Sequence, residues 1–259
     1  MSANFDNLLL TEADGVAEVV INRDDIRNAL APEVRRDLLR CLETLRDSSA
    51  VRAIILTGAG KSFSAGGSIK HYKDQPNKSP AEVRADLDET VKLFQLVPRL
   101  DKPIIAAVNG HALGGGCGLA IACDITLASD RATFGFPEIT RGFVPALVSV
   151  LCLQRVALKR TLEILLFGET QSAAAAVELG LANRVVPHDA LLDTARAMAR
   201  RAAGFGPDAV RTLKQLIASV ALANYDSELF TAREVSTMMR FSTEFAAGAA
   251  AFLSRKTGG

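Results

Sequence analysis

Two glycine-rich turns, each lying between a buried strand and a helix, constrain this chain more than any other feature. The first spans residues 58–67 after the apolar run 53–57, and the second begins at Gly110 after Ile104–Val108. Continuous short apolar runs predict strands that are buried on both faces. Glycine lets backbone N–H groups approach a ligand, and the first N–H groups of a helix lack helical partners. Two such turns could aim two donors at one oxygen, which is the geometry of an oxyanion hole.

Neither turn matches a nucleotide-binding motif. The segment 58–62 ends like a phosphate-binding P-loop, but Ile55 stands where the loop's first glycine belongs. The second turn lacks the GxGxxG pattern because Leu119 and Ile121 occupy the places of a third glycine. The chain also contains no GxSxG elbow of serine hydrolases. Glycines that merely permit tight packing remain the alternative interpretation of both turns.

Apolar patterning divides the chain near residue 140. Before that point we expect strands at residues 8–10, Val16–Ile21, 53–57, Ile104–Val108 and 125–128, with helices from Pro32, over 81–97 and over 119–123, and a short helix starting at 69–72. Beyond it, helical spacing predicts helices near residues 147–156, 160–166, 173–179, 190–203, 209–220, 228–239 and 244–253, with strand-like sequence scarce apart from 182–186. The first half is therefore mixed α/β and the last third mostly helical.

Composition excludes several classes of protein. The chain has 259 residues and a formal net charge of +1, so no global basic field favours nucleic acid. Its four cysteines and three histidines show no zinc-site spacing, which predicts buried, reduced thiols and no metal. The sequence shows neither a signal-peptide pattern at its start nor a run of about 18 apolar residues. We therefore expect a cytoplasmic protein without membrane contact.

Several motifs taken together resemble the enoyl-CoA hydratase/isomerase (crotonase) family. They are residues 61–70 and 102–117 for two oxyanion segments, 122–125 and 134–139 at the family's spacing, and 22–30 for a coenzyme A loop. The resemblance spans nearly the whole chain. It implies an α/β fold, a crotonase-like spiral of ββα units followed by a C-terminal helical trimerisation region. The expected division is a core of residues 1–200 and an oligomerisation region of residues 201–259.

The resemblance also implies roles for individual residues. The backbone N–H groups of Gly67 and Gly115 would hold a thioester oxygen, and Phe252 and Arg255 would reach coenzyme A from a neighbouring subunit. The full expected substrate-binding set is Arg23, Arg27, Ala65, Gly67, Ser68, Ile69, Lys70, Gly115, Phe252 and Arg255. Coenzyme A would be part of the substrate, with no separate cofactor. The expected partners are an acyl-CoA and further copies of the chain, as a homotrimer or a dimer of trimers.

One expected acid is missing from the pattern. Two-glutamate hydratases of the family carry one acid after the glycine run and a second twenty residues on, where this chain has Gly118 and Glu138. We expect Glu138, among aromatic neighbours, to have a raised pKa and to act as the catalytic acid and base. The first hypothesis is a single-glutamate hydratase, a lyase that works through an enolate. The alternatives are an isomerase that shifts a double bond and a non-catalytic acyl-CoA-binding protein.

Residues 139–148 resemble those of relatives that hydrate branched or carboxylated enoyl-CoA. Arg141 could then meet a second carboxylate on the acyl group, or it could form a salt bridge at a surface or interface.

Overall fold

The computed structural model describes residues 5–68 and 77–254. Within these residues two sheets and a set of helices form an α/β fold. The short helix expected at residues 69–72 lies outside the described residues. No helix in the described ranges combines the length and the apolar character needed to cross a bilayer.

The larger sheet has six strands in the order β1-β2-β3-β5-β7-β10. They are β1 (Leu8–Ala13), β2 (Val16–Ile21), β3 (Ala53–Gly58), β5 (Ile104–Val108), β7 (Ile125–Ser129) and β10 (Arg184–Val186). The first two form an antiparallel hairpin, and the remaining pairs are parallel. Every residue of β3 and β5 is buried, as the continuous apolar runs predicted. The hairpin turns at Asp14 and Gly15, which both have positive φ.

A second, smaller sheet was not predicted. It consists of β4 (Ser62–Ser64), β6 (His111–Leu113), β8 (Thr133–Gly135) and β9 (Gln171–Ser172) in that order. A strand of two or three residues is too short to show an alternation of apolar and polar side chains, so these strands could not be distinguished from loops in the sequence. Along the chain a long strand, a short strand and a helix follow one another repeatedly, which is the expected ββα unit.

The helices agree closely with the sequence pattern. They are α1 (Pro32–Asp47), α2 (Pro80–Leu96), α3 (Gly115–Ala122), α4 (Ala146–Leu153), α5 (Leu158–Phe167), α6 (Ala173–Leu179), α7 (Leu191–Ala203), α8 (Pro207–Ala221), α9 (Tyr225–Met239) and α10 (Thr243–Ser254). Proline stands in the first turn of α1, α2 and α8, where its missing N–H has no helical partner to lose. The expected start of α3 at Leu119 was wrong, because the glycines from Gly115 onwards are already helical.

The C-terminal helices complete the wall of the core. Helix α9 packs on α2 and α4, and Tyr225 and Leu229 belong to the main hydrophobic cluster. Helix α10 lies against the turn Ile139–Arg141. A Cβ at Gly248 would lie 1.7 Å from the Arg141 carbonyl oxygen, so glycine allows this contact. The expected division into a core of residues 1–200 and an oligomerisation region of residues 201–259 concerns assembly and stays a prediction. All four cysteines are buried and free, as expected.

Candidate active site

Hydrogen bonds join the first glycine turn to the loop that precedes α1. The Leu30 N–H donates to the Gly66 carbonyl at 2.7 Å, and the Ala65 N–H donates to Arg27 at 3.0 Å. Gly66 has a φ of +81°, and a Cβ there would lie 2.4 Å from the Leu113 carbonyl oxygen. Only glycine lets the first turn come this close to the second.

The second glycine turn places Gly115 at the start of α3. Gly114 precedes the helix with a φ of +53°, and its N–H donates to the Gly135 carbonyl at 2.8 Å. A Cβ at Gly116 would lie 2.4 Å from the Ser64 carbonyl oxygen, so α3 begins directly against β4. Among the described residues, no acceptor pairs with the N–H of Gly67 or Gly115. Both glycines line one cavity of about 110 Å³, so the structure brings together the two expected donors.

Glu138 lines the same cavity, beside the start of α3. A Cβ at Gly114 would lie 2.6 Å from Glu138 Oε1, which shows how closely the carboxyl approaches the glycine turn. Its Oε2 is shielded from solvent and has no hydrogen-bond partner among the described residues. Burial raises the pKa of Glu138 to about 7, against smaller lowering effects of its own backbone N–H and of the Arg141 charge. The expected rise in pKa is confirmed, and a carboxyl of this kind can exchange protons near neutral pH.

The position of the missing glutamate is closed by apolar side chains. Gly118 is buried in α3. A Cβ there would lie 2.9 Å from Val148 Cγ1 and 3.0 Å from Phe94 Cζ. Both of these side chains also line the cavity. At Gly118, the position of the first glutamate of two-glutamate hydratases, apolar side chains therefore leave no space for an acidic side chain.

Side chains from distant parts of the chain complete the cavity. Its apolar lining includes Leu30, Leu87, Phe94, Val144, Leu147, Val148 and Phe245. Phe245, from α10, meets Phe143 edge-to-face with ring centroids 4.4 Å apart. Its polar lining includes Arg35, Asp86, Thr90, Ser236 and Arg240. This polar group was not predicted, because its members come from α1, α2 and the end of α9.

One signal for the polar group was present in the sequence. Arg35 lies one helical turn before Leu38, on the apolar face of α1. A cation on the core face of an amphipathic helix predicts a buried partner. That partner is Asp86 of α2.

The residues expected to bind coenzyme A differ in their surroundings. Arg23 forms ion pairs with Asp25 at 2.8 Å and with Glu33 at 3.5 Å, while Arg27 is exposed. Ala65 and Ser68 are half-buried beside the exposed Gly67.

Phe252 lies beneath the Arg141 guanidinium of the same chain, with 4.7 Å from Cζ to the ring centroid. The remaining expected contacts, Ile69, Lys70 and Arg255, lie outside the described residues.

Fold and site together define an α/β protein of repeated ββα units in which two glycine turns and one desolvated carboxyl share a cavity. The family profile described as Enoyl-CoA hydratase/isomerase matches residues 11–257. The chain belongs to this family, whose members act on acyl-CoA, and the resemblance and the fold class expected from the sequence are confirmed.

Individual relatives agree with this assignment. A putative enoyl-CoA hydratase of Thermus thermophilus is 34% identical over 249 residues, which cover 96% of this chain and 98% of the relative. An enoyl-CoA hydratase/isomerase structure from Xanthobacter autotrophicus Py2 superposes with a TM-score of 0.90 at 29% identity, covering 98% of this chain and 95% of that one. A monofunctional enoyl CoA isomerase structure from M. smegmatis has a TM-score of 0.71 at 34% identity, covering 83% and 93%.

Proposed function

We propose that this protein is an enoyl-CoA hydratase-like lyase that works with one carboxyl group. The observation that carries the proposal is the position of Glu138, whose desolvated carboxyl shares a cavity with the N–H groups of Gly67 and Gly115. Negative charge develops on the thioester oxygen when water adds to the double bond. Backbone donors fixed before the reaction stabilise that charge more in the transition state than in the substrate.

In the proposed mechanism one carboxyl handles both proton transfers. Ionised Glu138 takes a proton from water while the water oxygen bonds to C3 of the enoyl group. The electrons of the double bond move to the thioester oxygen, and the resulting enolate accepts hydrogen bonds from Gly67 and Gly115. The Glu138 carboxyl then gives its proton to C2, which yields the 3-hydroxyacyl thioester and restores the carboxylate. The loss of one oxyanion donor typically raises such a barrier by about 2.7–4 kcal/mol.

Coenzyme A serves as the handle of the substrate in this proposal, and no separate cofactor takes part. The expected contacts with its phosphates and adenine are the loop of Arg23 and Arg27 together with Lys70. Arg23 would have to share its guanidinium, because it already binds two carboxylates. The exposed Arg27 is the better placed of the two for a phosphate.

A double-bond isomerase is the second candidate. The wall of Phe94 and Val148 at Gly118 leaves Glu138 as the carboxyl beside the glycine turns. One carboxyl suffices to move a proton from one carbon to another. The structural likeness to a monofunctional isomerase is in keeping with this candidate.

The test is incubation with a panel of enoyl-CoA thioesters in D₂O, followed by mass spectrometry. We expect a product heavier than the substrate by one water, with one deuterium at C2. A product without added water, with deuterium exchanged or the double bond moved, would replace the hydratase by the isomerase. Thermal stabilisation by acyl-CoA without any product would favour the non-catalytic binder.

Assembly as a trimer or dimer of trimers is proposed for the same protein. Helix α8 is fully described and has no buried residue, yet it carries an exposed apolar stripe of Leu213, Leu216, Ile217 and Val220. Their spacing places them on one face of the helix, and exposed apolar patches of this kind are typical of interfaces.

Charges in this stripe are expected to weaken the assembly. Light scattering after gel filtration should give the mass of three or six chains for the parent protein and a smaller mass for the Leu216→Asp, Ile217→Asp double variant. Ser219→Asp, an exposed position outside the stripe on the same helix, is the matched control. A monomeric parent, or an unchanged mass of the double variant, would contradict the proposal.

A further inference from the structure

The peptide group between Gly66 and Gly67 is held by a hydrogen bond from another part of the chain. The Leu30 N–H donates to the Gly66 carbonyl at 2.7 Å, and Leu30 and Gly66 are both buried. The peptide between the two glycines is trans, so its C=O and its N–H point in opposite directions within one plane. A bond that fixes the Gly66 carbonyl therefore also fixes the direction of the Gly67 N–H, the first of the two proposed oxyanion donors.

The second donor is aligned in a different way. The Gly114 carbonyl accepts a hydrogen bond from the Gly118 N–H of α3 at 2.9 Å. The helix itself therefore sets the plane of the peptide that carries the Gly115 N–H. The Gly67 N–H depends instead on the loop that contains Leu30, so its direction is only as well defined as that loop.

The loop that contains Leu30 has a backbone that needs support. Arg27 and Asn28 have φ angles of +55° and +54°, a region that residues other than glycine seldom adopt. The Asn28 side-chain amide donates to the Ala59 and Ser62 carbonyls at 2.8 and 2.7 Å, which fixes the first half of the loop. A backbone of this kind persists only where the surrounding structure holds it.

The Arg35 side chain fixes the second half of the loop. One terminal nitrogen of its guanidinium donates to the Leu30 carbonyl at 2.7 Å. Bulk water has little access to this bond, because the Arg35 side chain is only 7% exposed and Leu30 is buried. The other terminal nitrogen donates to the Asp86 carboxylate of α2 and lies 3.4 Å from Glu89 Oε2. A planar guanidinium that is held at both ends is a well-ordered donor.

We propose that Arg35 is a positioning residue of the oxyanion hole, which sets the direction of the Gly67 N–H through its hydrogen bond to Leu30. The inference rests on the proposed function, since it concerns the oxyanion donors of that site. A backbone donor stabilises the transition state only if it points at the oxygen on which charge develops. Loss of the bond from Arg35 would release the loop, and the Gly66–Gly67 peptide would then turn away from the thioester oxygen.

Two other roles of Arg35 give different results in an experiment. Arg35 lines the cavity, so it could touch the acyl group, and it joins α1 to α2, so it could serve stability alone. Contact with the acyl group predicts weaker binding of acyl-CoA when Arg35 is replaced. A role in stability alone predicts easier unfolding without a change at the thioester. A positioning role predicts a weaker hydrogen bond to the thioester oxygen.

The experiment observes the thioester carbonyl of a bound ligand. Butanoyl-CoA labelled with ¹³C at this carbonyl has no double bond to hydrate, and infrared difference spectroscopy reads its C=O stretch in the complex. Hydrogen bonds weaken the C=O bond, so we expect a lower frequency in the parent complex than in free butanoyl-CoA. In Arg35→Met the frequency should move back towards the free value. The dissociation constant should change by less than about tenfold, the upper range of one neutral hydrogen bond.

Matched variants locate the effect. Arg35→Lys keeps a cationic donor for the Leu30 carbonyl and should restore a frequency below that of Arg35→Met. Arg36→Gln changes the exposed neighbour, and Glu89→Gln changes a partner of Arg35 that does not line the cavity. Both leave the bond to Leu30 in place and should keep the parent frequency.

The parent frequency in a folded Arg35→Met variant would overturn the inference. So would a loss of binding well beyond tenfold at an unchanged frequency, because it would show that Arg35 contacts the ligand. Circular dichroism and urea unfolding establish that each variant is folded. If Arg35→Met does not fold, Arg35→Met combined with Asp86→Asn, which removes both charges of the pair, is measured in its place with the same expected shift.

Turnover provides a second measurement. Arg35→Met should lower kcat by about 10- to 100-fold with little change in KM, a smaller loss than the outright removal of an oxyanion donor causes. An unchanged kcat in a variant that only unfolds more easily would overturn the positioning role.

The infrared measurement does not depend on turnover. A frequency that shifts in Arg35→Met, with no hydration of any enoyl-CoA by the parent, would support this inference and overturn the lyase. Hydration by the parent, with the same frequency in the parent and in Arg35→Met, would overturn this inference alone.

Discussion

Replacement of Glu138 by Gln is expected to lower kcat for hydration by about 10²- to 10⁴-fold, the usual contribution of a positioned acid or base. The amide has nearly the shape of the carboxyl but can neither take a proton from water nor return one to C2. The rate is followed by the loss of enoyl-thioester absorbance or by mass spectrometry. Glu178→Gln, at an exposed position, is the matched control and should keep full activity. Full activity of Glu138→Gln would reject both the hydratase and the isomerase mechanism.

The same substitution is expected to stabilise the protein above neutral pH. The pKa of Glu138 is about 7 in the folded chain, against an ordinary value of 4.5 that applies to the unfolded chain. The folded state therefore binds the proton more tightly than the unfolded state. The free energy of unfolding of the parent therefore falls as pH rises from 4.5 to 7, by about 3 kcal/mol at 1.36 kcal/mol per pKa unit. The free energy of unfolding of the glutamine variant does not fall in this way, because its amide does not titrate.

Urea unfolding at pH 4 and at pH 8 measures this effect. The two proteins should differ little at pH 4, and the variant should be the more stable at pH 8. In the parent, kcat/KM should fall about tenfold per pH unit below 7, because the mechanism starts from the ionised carboxyl. A stability difference that is the same at both pH values would contradict burial as the cause of the raised pKa.

The long strands and the helices could be predicted because their signals are local. The runs 53–57 and Ile104–Val108 are apolar throughout, as strands between two covered faces require. The helices after residue 140 show apolar residues at helical spacing over about two turns or more. Their observed bounds differ from the expected ones by a few residues at most.

The small sheet and the start of α3 could not be predicted, because tertiary contacts determine them. Ser62–Ser64 is a strand because it pairs with β6, which in turn pairs with β8. The glycines from Gly115 onwards have low helix propensity, and the close packing of Gly116, whose Cβ would lie 2.4 Å from the Ser64 carbonyl oxygen, is a tertiary contact.

The residues of the candidate site likewise include some that could be predicted from the sequence and some that could not. Gly67, Gly115 and Glu138 were identified because the motifs around them are contiguous in sequence, and the structure places them in one cavity. The charged group of Arg35, Asp86 and Arg240 was missed, because its members are separated by about 50 residues or more and meet only when α1, α2 and α9 pack. A buried ion pair between helices leaves almost no local pattern.

Introduction of the missing acid as Gly118→Glu is expected to destabilise the protein by about 2–5 kcal/mol. The new side chain would press on Val148 and Phe94, and overpacking of a core commonly costs about 1–3 kcal/mol. A carboxyl buried against apolar groups adds a cost of similar size, while the gain in helix propensity over glycine offsets about 1 kcal/mol. Chemical denaturation measures the difference in the free energy of unfolding. A variant as stable as the parent would show that Val148 and Phe94 move aside for the new side chain.

A control variant and a second substitution distinguish steric crowding from the burial of a carboxyl. Gly206→Ala, at a position with no atom within 4 Å of the new Cβ, should change stability little. Val148→Ala removes the closest contact, so Gly118→Glu combined with Val148→Ala should be more stable than the sum of the two single effects allows. If the combined variant also hydrates enoyl-CoA faster than Val148→Ala alone, a second carboxyl at this position assists the reaction. The parent would then be a hydratase limited by its single glutamate.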